Sequence, residues 1–257
     1  MKMQFLHTII TENRHEGPGY AQLRFRGDTP LAGLPGQFVM IRGDWGFHPT
    51  LPRAFSLVRA GAEGAVLVRD VGEGTHRLTQ LQPGDALDVL GPLGNAFALP
   101  PKGVRPVLVA GGVGVAPLAF LAQQLHAAGR SFAFVYGARA AADLSLKDEL
   151  AALGPLHCVT EDGSYGETGL VTAPLQRLLD DGTPSAVMAC GPHPMLRAVT
   201  HLALAANAPV QVALEAPMAC GLGTCKGCVV TAHDGVFHYV CSDGPVFDGE
   251  VIFGRAP

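Results

Sequence analysis

Residues 106–117 read P-V-L-V-A-G-G-V-G-V-A-P, and this stretch decides the fold of the second half of the chain. Five residues typical of a buried strand run directly into Gly111, Gly112 and Gly114, and residues 117–128 have the length and composition of a helix. A turn without β-carbons lets a pyrophosphate approach the backbone at the positive end of that helix. Because the full G-x-G-x-x-G spacing is missing, a packing turn without a ligand stays open as the alternative.

Downstream of this turn, strand-like and helix-like stretches alternate, which predicts an α/β domain with a parallel sheet over residues 100–208. One of these strands, residues 186–189, is followed by Cys190, Gly191 and Pro192. Ligands of open α/β folds bind at the carboxyl edge of the sheet, so this loop is a candidate lining for a flat nicotinamide pocket. The alternative is a buried cysteine before a proline that starts a helix.

Upstream, residues 1–99 show short apolar or alternating runs separated by Gly and Pro, which predicts a compact antiparallel β-barrel or sandwich. The motif R-A-F-S begins one of these strands. An arginine fork suits a diphosphate, and a hydroxyl can hydrogen-bond a polar ring edge. The next motif, G-E-G-T, would open a helix whose N–H groups take a second phosphate. The candidate residues in the two motifs are Arg53, Ala54, Phe55, Ser56, Gly74 and Thr75. A chance arginine on an edge strand is the alternative.

The last segment, residues 209–257, holds Cys220, Cys225, Cys228 and Cys241 in the spacing C-x4-C-x2-C-x12-C. The x4 and x2 spacing is that of plant-type [2Fe-2S] ligation, and the glycines between the thiols permit a close backbone wrap. A structural zinc site is the alternative, although it usually shows paired C-x2-C knuckles. Four free buried thiols are a third reading. A segment this short and rich in glycine needs a metal to hold it.

Composition and charge exclude several classes of protein. The chain has 257 residues and a formal net charge of −4, which gives no pull toward nucleic acid. Charged residues from Glu12 onward interrupt any signal-peptide core, and glycines break the uncharged run 106–125, so we expect neither a leader nor a membrane span. Six cysteines without a secretory signal indicate a reducing compartment, and the cytoplasm is the expectation.

Taken in order, R-A-F-S, G-E-G-T, G-P-L-G, G-G-V-G-V-A-P and C-G-P-H-P-M resemble the ferredoxin–NADP reductase superfamily over essentially the whole chain. The tail M-A-C-G-L-G-T-C-K-G-C and the segment T-E-D-G-S-Y-G narrow the resemblance to the electron transfer subunits of dihydroorotate dehydrogenase B. That resemblance implies an FAD-binding antiparallel barrel at 1–99, an NAD-binding α/β domain at 100–208 and a [2Fe-2S] domain at 209–257.

The resemblance also implies the site residues. Those expected to hold FAD are Arg53, Ala54, Phe55, Ser56, Gly74 and Thr75, with Leu67, Val68 and Arg69 as strand contacts. Those expected to contact NAD, an exchangeable substrate, are Gly111, Gly112, Gly114, Cys190, Gly191 and Pro192. The expected cluster ligands are Cys220, Cys225, Cys228 and Cys241. No side chain is expected to act as a catalytic acid or base, because the cofactors carry the chemistry.

The implied function is electron transfer in pyrimidine biosynthesis. An FMN-containing partner subunit oxidises dihydroorotate, and electrons pass through the cluster and FAD to NAD+, in a heterotetramer with two copies of each subunit. The runner-up is the small subunit of an NADH-dependent ferredoxin:NADP oxidoreductase or of a hydrogenase diaphorase. Those relatives typically carry an aspartate where this chain has Cys220. Arg139 alone leaves the choice between NAD and NADP open, and NAD follows from the resemblance.

Overall fold

The computed structural model describes residues 3–46 and 48–256. The first six strands form a closed antiparallel barrel in the order β1-β2-β5-β4-β3-β6, as the short alternating runs predict. One helix, α1, lies between β5 and β6. The bounds are β1 Gln4–Gly17, β2 Tyr20–Gly27, β3 Phe38–Gly43, β4 Arg53–Arg59, β5 Gly64–Arg69, α1 Glu73–Thr79 and β6 Ala86–Leu93. The first three residues of the G-P-L-G motif, 91–93, lie at the end of β6.

A seven-stranded sheet follows, in the order β10-β9-β8-β7-β11-β12-β15, and all its pairings are parallel except that of β15. Its strands are β7 Arg105–Gly111, β8 Ala133–Ala138, β9 Leu156–Thr160, β10 Glu167–Thr168, β11 Ser185–Cys190, β12 Val210–Ala213 and β15 Val246–Asp248. The helices between and after them are α2 Val115–Ala127, α3 Lys147–Ala151, α4 Thr172–Asp180, α5 His193–Ala205 and α6 Gly249–Phe253. The alternation read from the sequence thus produces the expected parallel sheet.

The uncharged run at 106–125 forms β7, a short turn and the first part of α2. Within the described ranges, no helix is long and apolar enough to cross a membrane.

The cysteine-rich segment is tied to both other parts of the molecule. It contains one small hairpin, β13 Val229–Thr231 and β14 Phe237–Tyr239, before β15 returns to the edge of the large sheet. The Asn95 side chain, just after the barrel, donates to Val246 O and accepts from Val246 N, both at 2.8 Å. Gln211 on β12 makes a similar pair of hydrogen bonds with the Ala98 backbone. These amide bridges hold the barrel, sheet and cysteine segment together.

A single group of buried apolar side chains runs through all three parts. It includes Phe38 and Met40 of the barrel, Val107 of the sheet, and Cys228 and Val240 of the cysteine segment. β12 and β15 lie in the sheet although both belong to residues assigned from sequence to a separate cluster domain. The division at residues 99/100 and 208/209 stays a prediction, and the shared core means that the three parts stabilise one another.

Candidate functional site

The four cysteines of residues 220–241 lie together as two pairs of thiols. Cys220 Sγ is 3.2 Å from Cys225 Sγ, and Cys228 Sγ is 3.1 Å from Cys241 Sγ. The first pair is partly exposed to solvent, whereas the second is buried. We call the segment from 219 to 228 the cluster loop.

Backbone N–H groups of the cluster loop point at the thiols. Leu222 and Cys225 each donate to Cys220 Sγ at 3.4 Å, and Gly223 donates to Cys241 Sγ at 3.1 Å. The bonds from Cys225 and Leu222 lower the pKa of the Cys220 thiol to about 6. Burial raises the pKa of the Cys241 thiol to about 11. Backbone dipoles that stabilise sulfur anions suit thiolate ligands of a negatively charged cluster.

Two glycines make this loop geometry possible. Gly221 and Gly223 have φ of +70° and +78°, the left-handed region that favours glycine. A β-carbon at Gly221 would also lie 2.7 Å from Met40 Cγ, so the cluster loop rests directly on barrel strand β3. The glycines of the cluster loop therefore have two roles: they allow its backbone conformation, and Gly221 allows it to pack against the barrel.

The thiol arrangement fits a two-iron cluster better than a single metal ion. The thiols are divided two and two, and each iron of a [2Fe-2S] cluster takes two protein thiolates.

Two separately predicted barrel motifs meet at Arg53. Arg53 lies at the start of β4, its guanidinium contacts the Leu51 carbonyl, and a β-carbon at Gly74 would overlap that guanidinium. Glycine at position 74 therefore lets the arginine lie across the start of α1. The Thr75 hydroxyl is already engaged, because it donates to Gly72 O and accepts from Val71 N. The arrangement presents one fixed cation at an exposed edge of the barrel, which suits a diphosphate.

The remaining barrel candidates differ in accessibility. The side chains of Ala54, Phe55 and Ser56 are partly exposed along β4. Leu67 and Val68 are buried in the protein core, so only their backbone is available to a ligand. Arg69 is exposed and lies 5.6 Å from the centroid of the Tyr20 ring.

The glycine turn and the C-G-P loop are in direct contact at the carboxyl edge of the large sheet. Ala110 on β7 pairs with Cys190 on β11. A β-carbon at Gly111 would lie 2.6 Å from Met195 Sδ, and one at Gly114 would lie 2.7 Å from Gly191 N. Gly112, by contrast, has φ of +52° and open space around it. The edge is therefore tightly packed below and open above, as a pyrophosphate cradle requires.

Two cavities of about 350 Å³ each flank this glycine turn. The inner cavity is lined by residues 111–114 and 191–193 together with Leu214 and Glu215. The outer cavity is lined by the ends of β8 and β9 and by Tyr20 of the barrel. Gly111, Gly112, Pro192 and Arg69 border both cavities. A single extended ligand crossing the glycine turn would therefore reach both cavities.

Two titratable groups near the inner cavity have raised pKa values. The Glu215 side chain is open to the cavity, but the surrounding protein removes enough water to raise the pKa of its carboxyl. The Cys190 thiol is buried in the core, and burial raises its pKa well above the usual value. Gly191 and Pro192 line the inner cavity. The Cys190 side chain is packed among apolar residues of the sheet.

Two family models match the chain. Residues 215–253 match the iron–sulfur cluster binding domain of dihydroorotate dehydrogenase B, and residues 108–201 match the oxidoreductase NAD-binding domain. The dihydroorotate dehydrogenase B (NAD(+)) electron transfer subunit of Bacillus caldolyticus is 43% identical over 227 residues, which cover 85% of this chain and 86% of that protein. The chain belongs to the dihydroorotate dehydrogenase B electron transfer subunit family.

Further relatives agree with this family. A probable dihydroorotate dehydrogenase B (NAD(+)) electron transfer subunit of Methanopyrus kandleri is 39% identical, covering 95% of this chain and 90% of that protein. The structure of an NADH-dependent reduced ferredoxin–NADP oxidoreductase superposes with a TM-score of 0.83 at 29% identity, covering 95% of this chain and 89% of that one. A ferredoxin reductase of carbazole 1,9a-dioxygenase has a TM-score of 0.73 at 19% identity, which shows the fold alone.

Family membership confirms several expectations from the sequence. The recognised family, the barrel and parallel-sheet architecture, the NAD-linked oxidoreductase class and the cofactor set of FAD, [2Fe-2S] and NAD all agree with these matches. An electron transfer subunit also implies a catalytic partner subunit. The individual contact residues stay predictions, including the four cysteines as ligands.

Several cavity residues are absent from the set predicted from the sequence, and three of them carry polar side chains that matter here. Tyr20 and Glu161 line the outer cavity, and Glu215 lines the inner one. Glu161 follows strand β9 directly and Glu215 follows the strand-like V-A-L, so an acid at a strand's carboxyl end was the available signal. Tyr20 offered no such signal, since it comes from the barrel and reaches the cavity only through the fold.

Proposed function

We propose that this chain is the electron transfer subunit of a dihydroorotate dehydrogenase B that delivers electrons to NAD+. One observation carries the proposal: Met40 joins the two redox regions. Its side chain contacts the cluster loop at Gly221, while its backbone pairs with Ala54 of the R-A-F-S strand. Thiols suited to a cluster and the strand suited to a flavin therefore adjoin the same residue of β3.

Each group of predicted site residues would hold a different cofactor or substrate. The two thiol pairs would hold the cluster, Arg53 would bind the FAD diphosphate, and the turn from Gly111 to Gly114 would bind the pyrophosphate of NAD. When bound, the cluster supplies one-electron transfer and FAD the conversion between one-electron and hydride transfer. The chain's own contribution is to position these groups and to exclude water at the packed edge of the sheet.

We also propose that the partner is an FMN-containing subunit that oxidises dihydroorotate to orotate, with two copies of each subunit. Relatives named as electron transfer subunits support a partner. The exposed Cys225 and the 48% exposed Leu222 leave the cluster loop accessible to a partner subunit. Six free cysteines support a reducing compartment, so we place the complex in the cytoplasm.

An anaerobic NADH titration of the purified protein tests the electron path. We expect flavin absorbance near 450 nm to bleach and a low-temperature EPR signal of a reduced [2Fe-2S] cluster to appear, with a weaker response to NADPH. Absent flavin, or zinc in place of iron, would overturn the proposal. Co-expression with the dihydroorotate-oxidising subunit should yield a complex that reduces NAD+ with dihydroorotate.

The second candidate is the small subunit of an NADH-dependent ferredoxin:NADP oxidoreductase. The superposition with such an enzyme, at a TM-score of 0.83, favours it. The Cys220–Cys225 pair favours the first candidate, because the second typically has an aspartate at the position of Cys220. Failure to form a complex with the dihydroorotate-oxidising subunit, together with reduction of NADP+ by NADH and reduced ferredoxin, would favour the second candidate.

A further inference from the structure

The two cavities can be assigned to the two halves of a bound dinucleotide. Glu215 of the inner cavity lies five residues before Cys220, on the segment that leads from β12 into the cluster loop. The inner cavity therefore adjoins the segment that leads to the cluster loop, and it suits the nicotinamide half. The outer cavity lies on the other side of the glycine turn, at the ends of β8 and β9, and suits the adenosine half.

Arg139 and Glu161 stand side by side in the wall of the outer cavity. Ala138 pairs with Thr160 in the parallel register of β8 and β9, so Arg139 and Glu161 are the next pair along the two strands. Glu161 N donates to Ala138 O and Asp162 N donates to Arg139 O, both at 3.1 Å, which extends the pairing beyond the strands. Both side chains are exposed and line the cavity.

The segment T-E-D-G-S-Y-G holds this pair in position. Asp162 Oδ1 accepts from Ser164 N at 2.9 Å and from Ser164 Oγ at 2.6 Å. Ser164 Oγ in turn accepts from Ala141 N at 2.7 Å, which ties the loop after β9 to the loop after β8. The two charged residues therefore project from a cross-linked pair of loops.

The other charged groups of the outer cavity already have neighbours. Asp143 accepts a hydrogen bond from Tyr20 OH at 3.2 Å, and Arg69 lies over the Tyr20 ring. Among the described residues, neither the Arg139 guanidinium nor the Glu161 carboxylate has an ion-pair partner within 4.0 Å. Opposite charges in adjacent register positions that both face a cavity are available to a ligand.

We propose that Glu161 selects NAD(H) over NADP(H) by accepting hydrogen bonds from the adenosine ribose hydroxyls of a nucleotide in the outer cavity. A carboxylate at a strand's carboxyl end accepts from a ribose 2′-hydroxyl and repels a 2′-phosphate. Arg139 beside it becomes a partner for the 2′-phosphate once the charge of Glu161 is removed. The assignment rests on the proposed function, because it requires that a pyridine nucleotide binds here.

Calorimetric titration of the purified holoprotein with ADP-ribose and with 2′-phospho-ADP-ribose tests the assignment without any turnover. We expect the wild type to bind ADP-ribose at least about tenfold more tightly, a difference equivalent to 1.4 kcal/mol. Glu161→Gln should remove most of this preference by tightening the binding of 2′-phospho-ADP-ribose. Adding Arg139→Gln to that variant should weaken the 2′-phosphorylated ligand again.

The matched control is Glu167→Gln, which removes a carboxylate from neighbouring strand β10 that is paired with Arg177 and does not line the cavity. It should leave both affinities unchanged. Equal changes in the affinities for both ligands in Glu161→Gln would overturn the assignment, and so would a wild-type preference for the 2′-phosphorylated ligand. Either result would leave the electron transfer proposal standing. Absence of binding by either ligand to the wild type would overturn both.

Discussion

The cluster loop and the outer cavity are assembled over very different distances along the chain. The four thiols come from residues 220–241, and two N–H groups of the cluster loop donate to Cys220 Sγ. The outer cavity takes its walls from residues between Tyr20 and Ala198, contributed by the barrel, by three strands of the sheet and by helices α4 and α5. The cluster site thus depends on a few local ligands, whereas the cavity depends on how separate elements pack.

This difference has a consequence for how each site fails. With the four thiols as the proposed ligands, removal of one thiol leaves an iron incompletely coordinated, so we expect the whole cluster to be lost at a single step. The cavity walls combine side chains from many elements, so we expect substitutions there to weaken binding or packing by graded amounts.

Replacing one buried thiol of the cluster should abolish the cluster while leaving the cavity able to bind. In Cys228→Ser we expect iron and acid-labile sulfide to fall to near zero per chain, and the EPR signal of the reduced cluster to disappear. ADP-ribose should still bind, because the cavity contains no part of the cluster loop. Cys158→Ser, which changes a buried cysteine of β9, should keep full iron. Stoichiometric iron in Cys228→Ser would contradict the assignment of the second thiol pair.

The barrel motifs R-A-F-S and G-E-G-T represent an intermediate case, because they lie about twenty residues apart in the sequence. Arg53→Ala removes the guanidinium that lies across Gly74, and we expect FAD affinity to fall at least about tenfold, because a charge-assisted hydrogen bond contributes about 1.5–3 kcal/mol. Flavin retained after ultrafiltration measures the change. Arg59→Ala, at the other end of β4, is the control and should retain flavin. Equal flavin retention in Arg53→Ala and Arg59→Ala would show that Arg53 does not bind the flavin.

A substitution that disturbs the packing between the loops after β7 and β11 should have a smaller effect than loss of a thiol or of Arg53. A β-carbon at Gly114 would overlap the Cys190 carbonyl, so Gly114→Ala forces the loops after β7 and β11 apart. We expect the free energy of unfolding to fall by about 1–3 kcal/mol, measured by urea denaturation. Weaker binding of ADP-ribose should accompany the loss. Gly72→Ala, where a β-carbon meets open space, is the control. An unchanged urea midpoint in Gly114→Ala would contradict the close contact of the loops.

The same contrast explains what could be predicted from the sequence. The spacing of the four cysteines indicated both the cofactor and its candidate ligands, because those ligands are close in the chain. The glycine turn and the C-G-P loop were each ambiguous alone, and their contact arises only from the parallel pairing of β7 with β11. Tyr20 was missed because no short motif joins a barrel residue to the large sheet. Glu161 was missed although it directly follows β9, because the sequence alone does not show which strand ends border the cavity.

The fold shows a similar limit. Run lengths and turn residues predicted the barrel, and alternation predicted the parallel sheet. Nothing in the composition of residues 209–257 indicated that β12 and β15 would extend that sheet, with β15 antiparallel at its edge. Edge pairing depends on which strand is left unpaired when the sheet has formed, which is a property of the whole fold.

The smallest effect is expected from loss of an ion pair at the end of the sheet opposite the cavities. Arg105 at the start of β7 binds both carboxylate oxygens of Asp181, and these hydrogen bonds lower the pKa of Asp181 from 3.8 to about 2. A carboxyl whose pKa is lowered by folding contributes stability above its unfolded pKa and loses that contribution as pH falls through the folded value.

Asp181→Asn should therefore be slightly less stable than the wild type between pH 5 and 7, and the gap should close as pH falls from about 4 to about 2. Urea midpoints measured across this range test the prediction. Asp180→Asn changes the adjacent carboxylate, which accepts from Gln176, and serves as the control for adding an amide at the end of α4. ADP-ribose binding should be unaffected in both variants, since neither carboxylate lines a cavity.

A stability difference that stays constant down to pH 2 would show that Asp181 stabilises this end of the sheet without its charge. In that case Arg105 would act here through its bonds to Ser185 and the Leu178 carbonyl.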